Sequence, residues 1–163
     1  MLSIYIDADA CPVKDEIYRL ARRHELKVFV VSHGSIHVPP KMAGSGRVES
    51  IKVKRGFDSA DDWIAEHAGQ DDVVVTADIP LAARCLKNQA RVISPSGLPF
   101  AEESIGDALA TRDLMEQLRQ SGLQGGGPAP FAPSDRSRFV SVLSALIQDL
   151  RTGGSRTRKP KLA

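Results

Sequence analysis

Aspartates recur where hydrophobic runs stop in this chain. "IYIDADACPV" ends an apolar run on Asp7 and sets Asp9 two residues further on; "RGFDSADD" carries Asp58 and Asp61 at the head of a helical pattern; "VVVTADIP" closes on Asp78. In a parallel sheet the crevice lies beyond the carboxyl ends of the strands, so residues that close a strand are the first candidates for chemistry. If the strands carrying Asp7 and Asp78 are neighbours, several carboxylates converge on one small volume. Like charges that close repel unless protons are shared or a cation intervenes. A hard divalent ion, Mg²⁺ or Mn²⁺, suits such a cluster, because it prefers oxygen ligands and keeps several waters. It would make a water more acidic and orient it for attack on phosphorus. The candidate metal ligands are therefore Asp7, Asp9, Asp58, Asp61 and Asp78, with Asp7, Asp58 and Asp78 as the catalytic set.

Aspartate is also among the best helix N-caps, and Asp9, Asp58 and Asp78 each precede a helical pattern. Asp58 and Asp61 have a capping-box-like spacing, although the usual partner there is Glu or Gln. Their joint placement at expected strand ends is what favours a site over three separate caps. Asp7 is the strongest ligand candidate, and Asp9 the one most readily explained as a helix start. Asp62, Asp71 and Asp72 read as solvated charges, the last two forming a turn before a strand.

Other polar residues have simpler explanations beside the chemical one. Lys14 and Arg112 could contact a substrate phosphate, or could pair with nearby acids. Ser32 and Thr76 fall near strand ends; Thr76 reads as a strand residue with ordinary packing. His33 and His37 lie four apart, a spacing that suits a metal pair on a helix, but the surrounding sequence is a loop. Cys11 follows the first acidic pair, where a helix N-terminus can activate a thiol, yet a buried small residue is the plainer reading. "GSGR" lacks the lysine and spacing of a phosphate-binding loop. Trp63 is a core candidate.

The elements that must position these groups alternate. "LSIYID", "KVFVV", "VESIKV", "DDVVVTA" and "ARVISP" are strand-like, and "VKDEIYRLARRH", "SADDWIAEHA" and "PLAARCLKN" are helix-like between them. Pro12 sits where a first-turn proline is tolerated. The expected fold is α/β, three-layered, with a mainly parallel sheet of about five strands. "SHGSIHVPPKMAGSG" reads as a long loop. From residue 98 the pattern turns helical: Ile105, Leu109, Leu114 and Leu118 before Gly122, then Phe139, Val142, Leu143, Leu146 and Ile147, with a glycine-proline linker between. The second stripe should pack back on the sheet.

The 163 residues suit one domain, expected over 1–150 with its helical part at 98–150. With 42% hydrophobic and 26% charged residues the composition is that of a globular protein, and no run reaches the roughly 18 apolar residues of a membrane helix. A cytoplasmic location is the expectation, since the N-terminus lacks the pattern of a signal peptide. Two cysteines, Cys11 and Cys85, give neither a disulfide framework nor a zinc site. The net charge of +2 hides an asymmetry: residues 151–163 carry five basic side chains and no acid, leaving 17 bases against 20 acids in the rest. That basic tail reads as disordered, and could add non-specific contact with nucleic acid.

The stretches "DADACPVK", "VPP", "GFDSADDWI", "VVTADIPLA", "SPSG", "TRDLM", "GGP" and "SDRSRF" resemble, in order, the YaiI/YqxD family of bacterial proteins, over nearly the whole chain to Leu150. More distantly the arrangement is similar to PIN-like domains, including the NYN branch, which are metal-dependent ribonucleases. That resemblance implies a PIN-like fold, with Asp7 closing the first strand, Asp58 and Asp61 opening a middle helix and Asp78 following a "hhhT-x-D" strand. It also implies Mg²⁺ or Mn²⁺ as cofactor and RNA as substrate. The fourth acid of PIN domains has no counterpart at the matching place, since Asp107 and Asp113 fall on a later helix.

Two other classes compete with a metal-dependent phosphodiesterase. In a haloacid-dehalogenase-type phosphatase Asp7 would be the nucleophile and Asp9 the acid; that pattern wants Thr or Val where Cys11 stands. In a non-catalytic binding module the acids would only cap helices. Few aromatics (5%) and an acidic body argue against a base-stacking nucleic-acid surface.

Overall fold

The computed structural model describes residues 2–44, 47–56, 59–122 and 130–153. Six strands form one sheet: β1 (Ser3–Asp7), β2 (Lys27–Ser32), β3 (Val48–Lys52), β4 (Val73–Val75), β5 (Arg91–Ile93) and β6 (Pro99–Phe100). Their order is β3-β2-β1-β4-β5-β6. All neighbours are parallel except β5 and β6. The α/β fold with a mainly parallel sheet is as the alternating pattern requires. The sixth strand, antiparallel and two residues long, is the addition; "PF" is too short to carry a periodic signal.

Central strands buried on both faces need apolar side chains at every position, not at alternate ones. Ile4, Tyr5 and Ile6 of β1 and all three valines of β4 are buried accordingly. Helices cover both faces. On one side α1 (Lys14–His24) and α6 (Pro133–Arg151) pack over Ile4, Ile6, Val28 and Val75. On the other, α3 (Ser59–His67) and α4 (Ile79–Lys87) pack over Tyr5, Val31, Val74 and Val92. Trp63 of α3 is only half-buried there, stacked on His67 with 3.9 Å between ring centroids.

The two C-terminal helices, α5 (Glu102–Gln120) and α6, are each 19 residues long. The stripe expected on α6 is real: Phe139, Leu143 and Ile147 are fully buried, with Val142 and Leu146 packed beside them. The stripe expected on α5 is covered only in part: Ile105 packs against the core on the α3 and α4 side of the sheet. No α5 residue with a described side chain is buried, and Leu114 and Met115 are about half exposed. Gly122, φ +77°, follows the end of α5, and its N–H donates to the Arg119 carbonyl, as the expected helix stop.

Gly97 is fixed by packing. At φ +86° it passes so close to α6 that a Cβ would lie 2.7 Å from the Phe139 nitrogen. Pro12 lies in the turn before α1, not in its first helical turn, and a four-residue helix, α2 (Pro40–Ala43), interrupts the expected long loop.

Candidate functional site

β1 lies between β2 and β4, with Ile6 opposite Val75. The condition set by the sequence is thus met, and the strands that deliver Asp7 and Asp78 are direct neighbours. The chain passes from β1 outward through β2 to β3, then crosses back to β4, so the strand order switches between β1 and β4. Ligand crevices open at such a switch. A cleft of about 340 Å³ lies here, lined by Asp7, Asp9, His33, Ala60, Asp61, Ala77 and Asp78.

The four acids arrive on three pieces of backbone. Asp7 is the last residue of β1, and Asp9 sits in the single 3-10 turn Ala8–Ala10 that follows. Asp61 stands in the first turn of α3, while Asp78 is the N-cap of α4, its Oδ1 accepting the Leu81 N–H at 2.9 Å. Asp78 is therefore both a cap and part of the cleft wall. Asp9 caps nothing, contrary to the reading of it as a helix start: its carboxylate faces His33 instead. Asp58 lies outside the described residues.

Thr76 joins two of the acids. Its hydroxyl donates to Asp7 Oδ2 at 2.9 Å and accepts the Asp78 N–H at 3.0 Å. Fully buried just past the end of β4, it is not the ordinary strand residue its sequence neighbours suggest. One hydroxyl thus orients the Asp7 carboxylate and shapes the turn that presents Asp78.

His33, immediately after β2, is the residue whose part in the site the sequence reading missed. Its backbone N–H donates to Asp9, and its ring Nδ1 lies 2.7 Å from Asp9 Oδ2. Nε2 and the Ser59 hydroxyl share a 2.9 Å hydrogen bond. Judged by its spacing to His37 it looked like a loop histidine; judged as a residue closing β2 it belongs to the same edge as Asp7. His37 is exposed and does not line the cleft.

The electrostatics of Asp7 follow from these surroundings. Desolvation raises its pKa above the ordinary carboxylate value; the Thr76 hydrogen bond opposes this, and Asp78 and Asp9 push the same way as burial. A cation in the cleft would relieve that penalty. Cys11 is inert by the same measure: burial pushes its thiol up to about 11, so the helix start does not activate it.

The remaining candidates are engaged elsewhere. The Lys14 ammonium donates to the Ala8 and Cys11 carbonyls at 3.3 and 3.1 Å, bracing the 3-10 turn. Arg112, exposed on α5, pairs with Asp113 at 3.6 Å. Neither lines the cleft. Asp62 pairs with Arg84, and Asp72 is not merely solvated, since it accepts the backbone N–H groups of Ser3 and Gly69.

As a donor set, four carboxylates suit a hard cation. Among the described residues, however, no three His, Cys, Asp or Glu groups stand in a geometry that would hold an ion as placed. Asp7 and Asp78 are each hydrogen-bonded through one carboxylate oxygen. The other oxygen of each has no hydrogen-bond partner among the described residues, which fits a loose, water-rich Mg²⁺ site held by one or two carboxylates and not a closed cage. No helix among the described residues is long and apolar enough to cross a membrane.

Residues 5–149 match the family model described as "Uncharacterized BCR, YaiI/YqxD family". Similar curated proteins, all named UPF0178 protein, include one from Nitrobacter winogradskyi, 55% identical over 92% of this chain and 93% of its own. Another, from Bradyrhizobium diazoefficiens, is 57% identical over 91% of this chain and 86% of its own. A third, from Rhodospirillum rubrum, is 51% identical over 93% and 99%. No solved structure matches the chain.

Proposed function

The chain belongs to the YaiI/YqxD family of uncharacterised bacterial proteins, and from its acidic cleft we propose that it is a metal-dependent phosphodiesterase of PIN-like type acting on RNA. The observation that carries this reading is the convergence of Asp7, Asp9, Asp61 and Asp78, from three separate backbone segments, on one cleft at the strand-order switch. Capping accounts for Asp78; it does not account for Asp7, which lies in no helix, is desolvated, and among the described residues is met by the Thr76 hydroxyl and the nearby His33 and not by a lysine or arginine.

Asp7, Asp61 and Asp78 would hold Mg²⁺ or Mn²⁺, with Asp9 beside them and Asp58 adjoining in sequence. When bound, the ion supplies charge neutralisation at the phosphoryl group and a more acidic water. The chain's own part is positioning. Thr76 fixes the Asp7 carboxylate, α4 fixes Asp78, and the carboxylates repel an anionic substrate unless the cation is present. Lys14 and Arg112 would meet substrate phosphate only by leaving their present partners. The basic residues from Arg151 onward would add salt-sensitive attraction to RNA.

Calorimetric titration of the full chain with Mn²⁺, alongside Asp7→Asn and Asp78→Asn, tests the metal site. Binding by the parent chain and its loss in both variants is expected, with Mn²⁺-dependent cleavage of single-stranded RNA lost in parallel. No binding tighter than millimolar, or equal binding by all three, sinks it. Trapping of a beryllium fluoride adduct on Asp7 would instead favour the haloacid-dehalogenase-type phosphatase. Metal binding with no hydrolysis of RNA would favour a non-catalytic module.

A further inference from the structure

His33 reaches two other backbone segments from the edge of the cleft. It stands at the end of β2, yet it reaches the turn after β1 through Asp9 and the first residue of α3 through Ser59. Both Asp9 oxygens receive its backbone N–H at 3.3 Å, but only Oδ2 receives the ring, at 2.7 Å. A carboxylate accepts and cannot donate, so Nδ1 carries the proton of that bond. Oδ1 is left with the longer, shared contact.

We propose that His33 is a positioning residue of the metal site, fixing through its ring the orientation in which the Asp9 carboxylate would face a cation held in the cleft. This inference rests on the metal-site reading above. Ligating carboxylates are themselves hydrogen-bonded, and removing such an outer partner typically costs metal affinity about 10–100-fold. The Ser59 end of the ring has a different task. The Ser59 hydroxyl also lies 2.7 Å from the Lys54 carbonyl, so this end ties α3 to the chain segment before it.

The two ends can be separated by mutation. An asparagine amide nitrogen falls near the place of Nδ1 and a glutamine amide nitrogen near that of Nε2, so His33→Asn keeps the Asp9 contact while His33→Gln keeps the Ser59 contact. Mn²⁺ titration of the full chain should show His33→Gln weakened about tenfold or more, and His33→Asn rescued to within about threefold of the parent. Asp9→Asn combined with His33→Gln should bind no worse than Asp9→Asn alone, because the two act through one carboxylate. Thermal unfolding of each variant confirms that the fold is kept. Equal affinity of the two His33 variants, at either level, overturns the inference while leaving the metal site standing. A parent chain that does not bind Mn²⁺ overturns both.

Discussion

Among the described residues, two carboxylates withdrawn from water, Glu16 and Asp7, are treated in different ways. Glu16, buried on α1, has a cationic partner: Arg136 of α6 donates to its Oε1 at 2.6 Å and also to the Pro12 carbonyl, while Oε2 is buried without a hydrogen-bond partner among the described residues. Asp7, closing β1, meets a hydroxyl and two other acids. The first arrangement fastens the C-terminal helix to the N-terminal one, directly beside the buried Phe139, Leu143 and Ile147. The second leaves a charge under-compensated at the mouth of a cleft. A desolvated carboxylate placed as Asp7 is adds nothing to stability, and it is the feature on which the proposed cation site rests.

The α1 and α6 seam should fail hardest. Phe139→Ala removes a fully buried aromatic and is expected to cost about 4 kcal/mol, read by urea unfolding. Arg136→Ala leaves Glu16 buried without its partner; since the Arg136 side chain is 44% exposed, about 2 kcal/mol is expected. Were Arg136→Ala neutral, the contrast between the two carboxylates would lose its structural half.

The cleft should respond in the other direction. Asp7→Asn keeps an acceptor for Thr76 and removes the desolvated charge, so it should raise the melting temperature by a few degrees at neutral pH while abolishing Mn²⁺ binding. The sign of the pH dependence follows from linkage. The folded pKa of Asp7 lies above its unfolded value, so its penalty is absent below the ordinary carboxylate range and grows as pH rises through the raised value. The advantage of Asp7→Asn over the parent should therefore vanish in acid and be complete at neutral pH. A melting temperature lowered by Asp7→Asn at neutral pH would break the comparison from this side. Smallest of all, Leu114→Ser on the exposed part of α5 should change stability by about 0.5 kcal/mol or less, which would sharpen the distinction between the two C-terminal helices.

Much of the scaffold was legible in the residues. Apolar runs such as "IYI" and "VVV" read as strands, and their continuous apolar character suits a sheet buried on both faces. The α6 stripe was equally plain. The α5 stripe is covered only in part, with Ile105 on the core and Leu114 about half exposed, since periodicity records which residues share a helix face and not how much of that face meets a partner. Of the acids, Asp7, Asp9, Asp61 and Asp78 could be nominated from their positions relative to strand and helix patterns. Thr76 and His33 could not be understood that way, because the hydrogen bonds that give them roles join them to residues distant in sequence, Asp7 to Thr76 across 69 positions and Asp9 to His33 across 24.

What the sequence determined by itself was the kind of protein: an alternating α/β chain of the YaiI/YqxD family, with aspartates at the ends of its strands. Local patterning is enough for that, since strand, helix and terminating residue are all read from neighbours along the chain. Tertiary structure alone decided that β4 returns to pair with β1, and so that Asp7 and Asp78 share a cleft. Strand order depends on how long-range packing distributes helices over two faces of a sheet, and no stretch of ten or twenty residues carries that information.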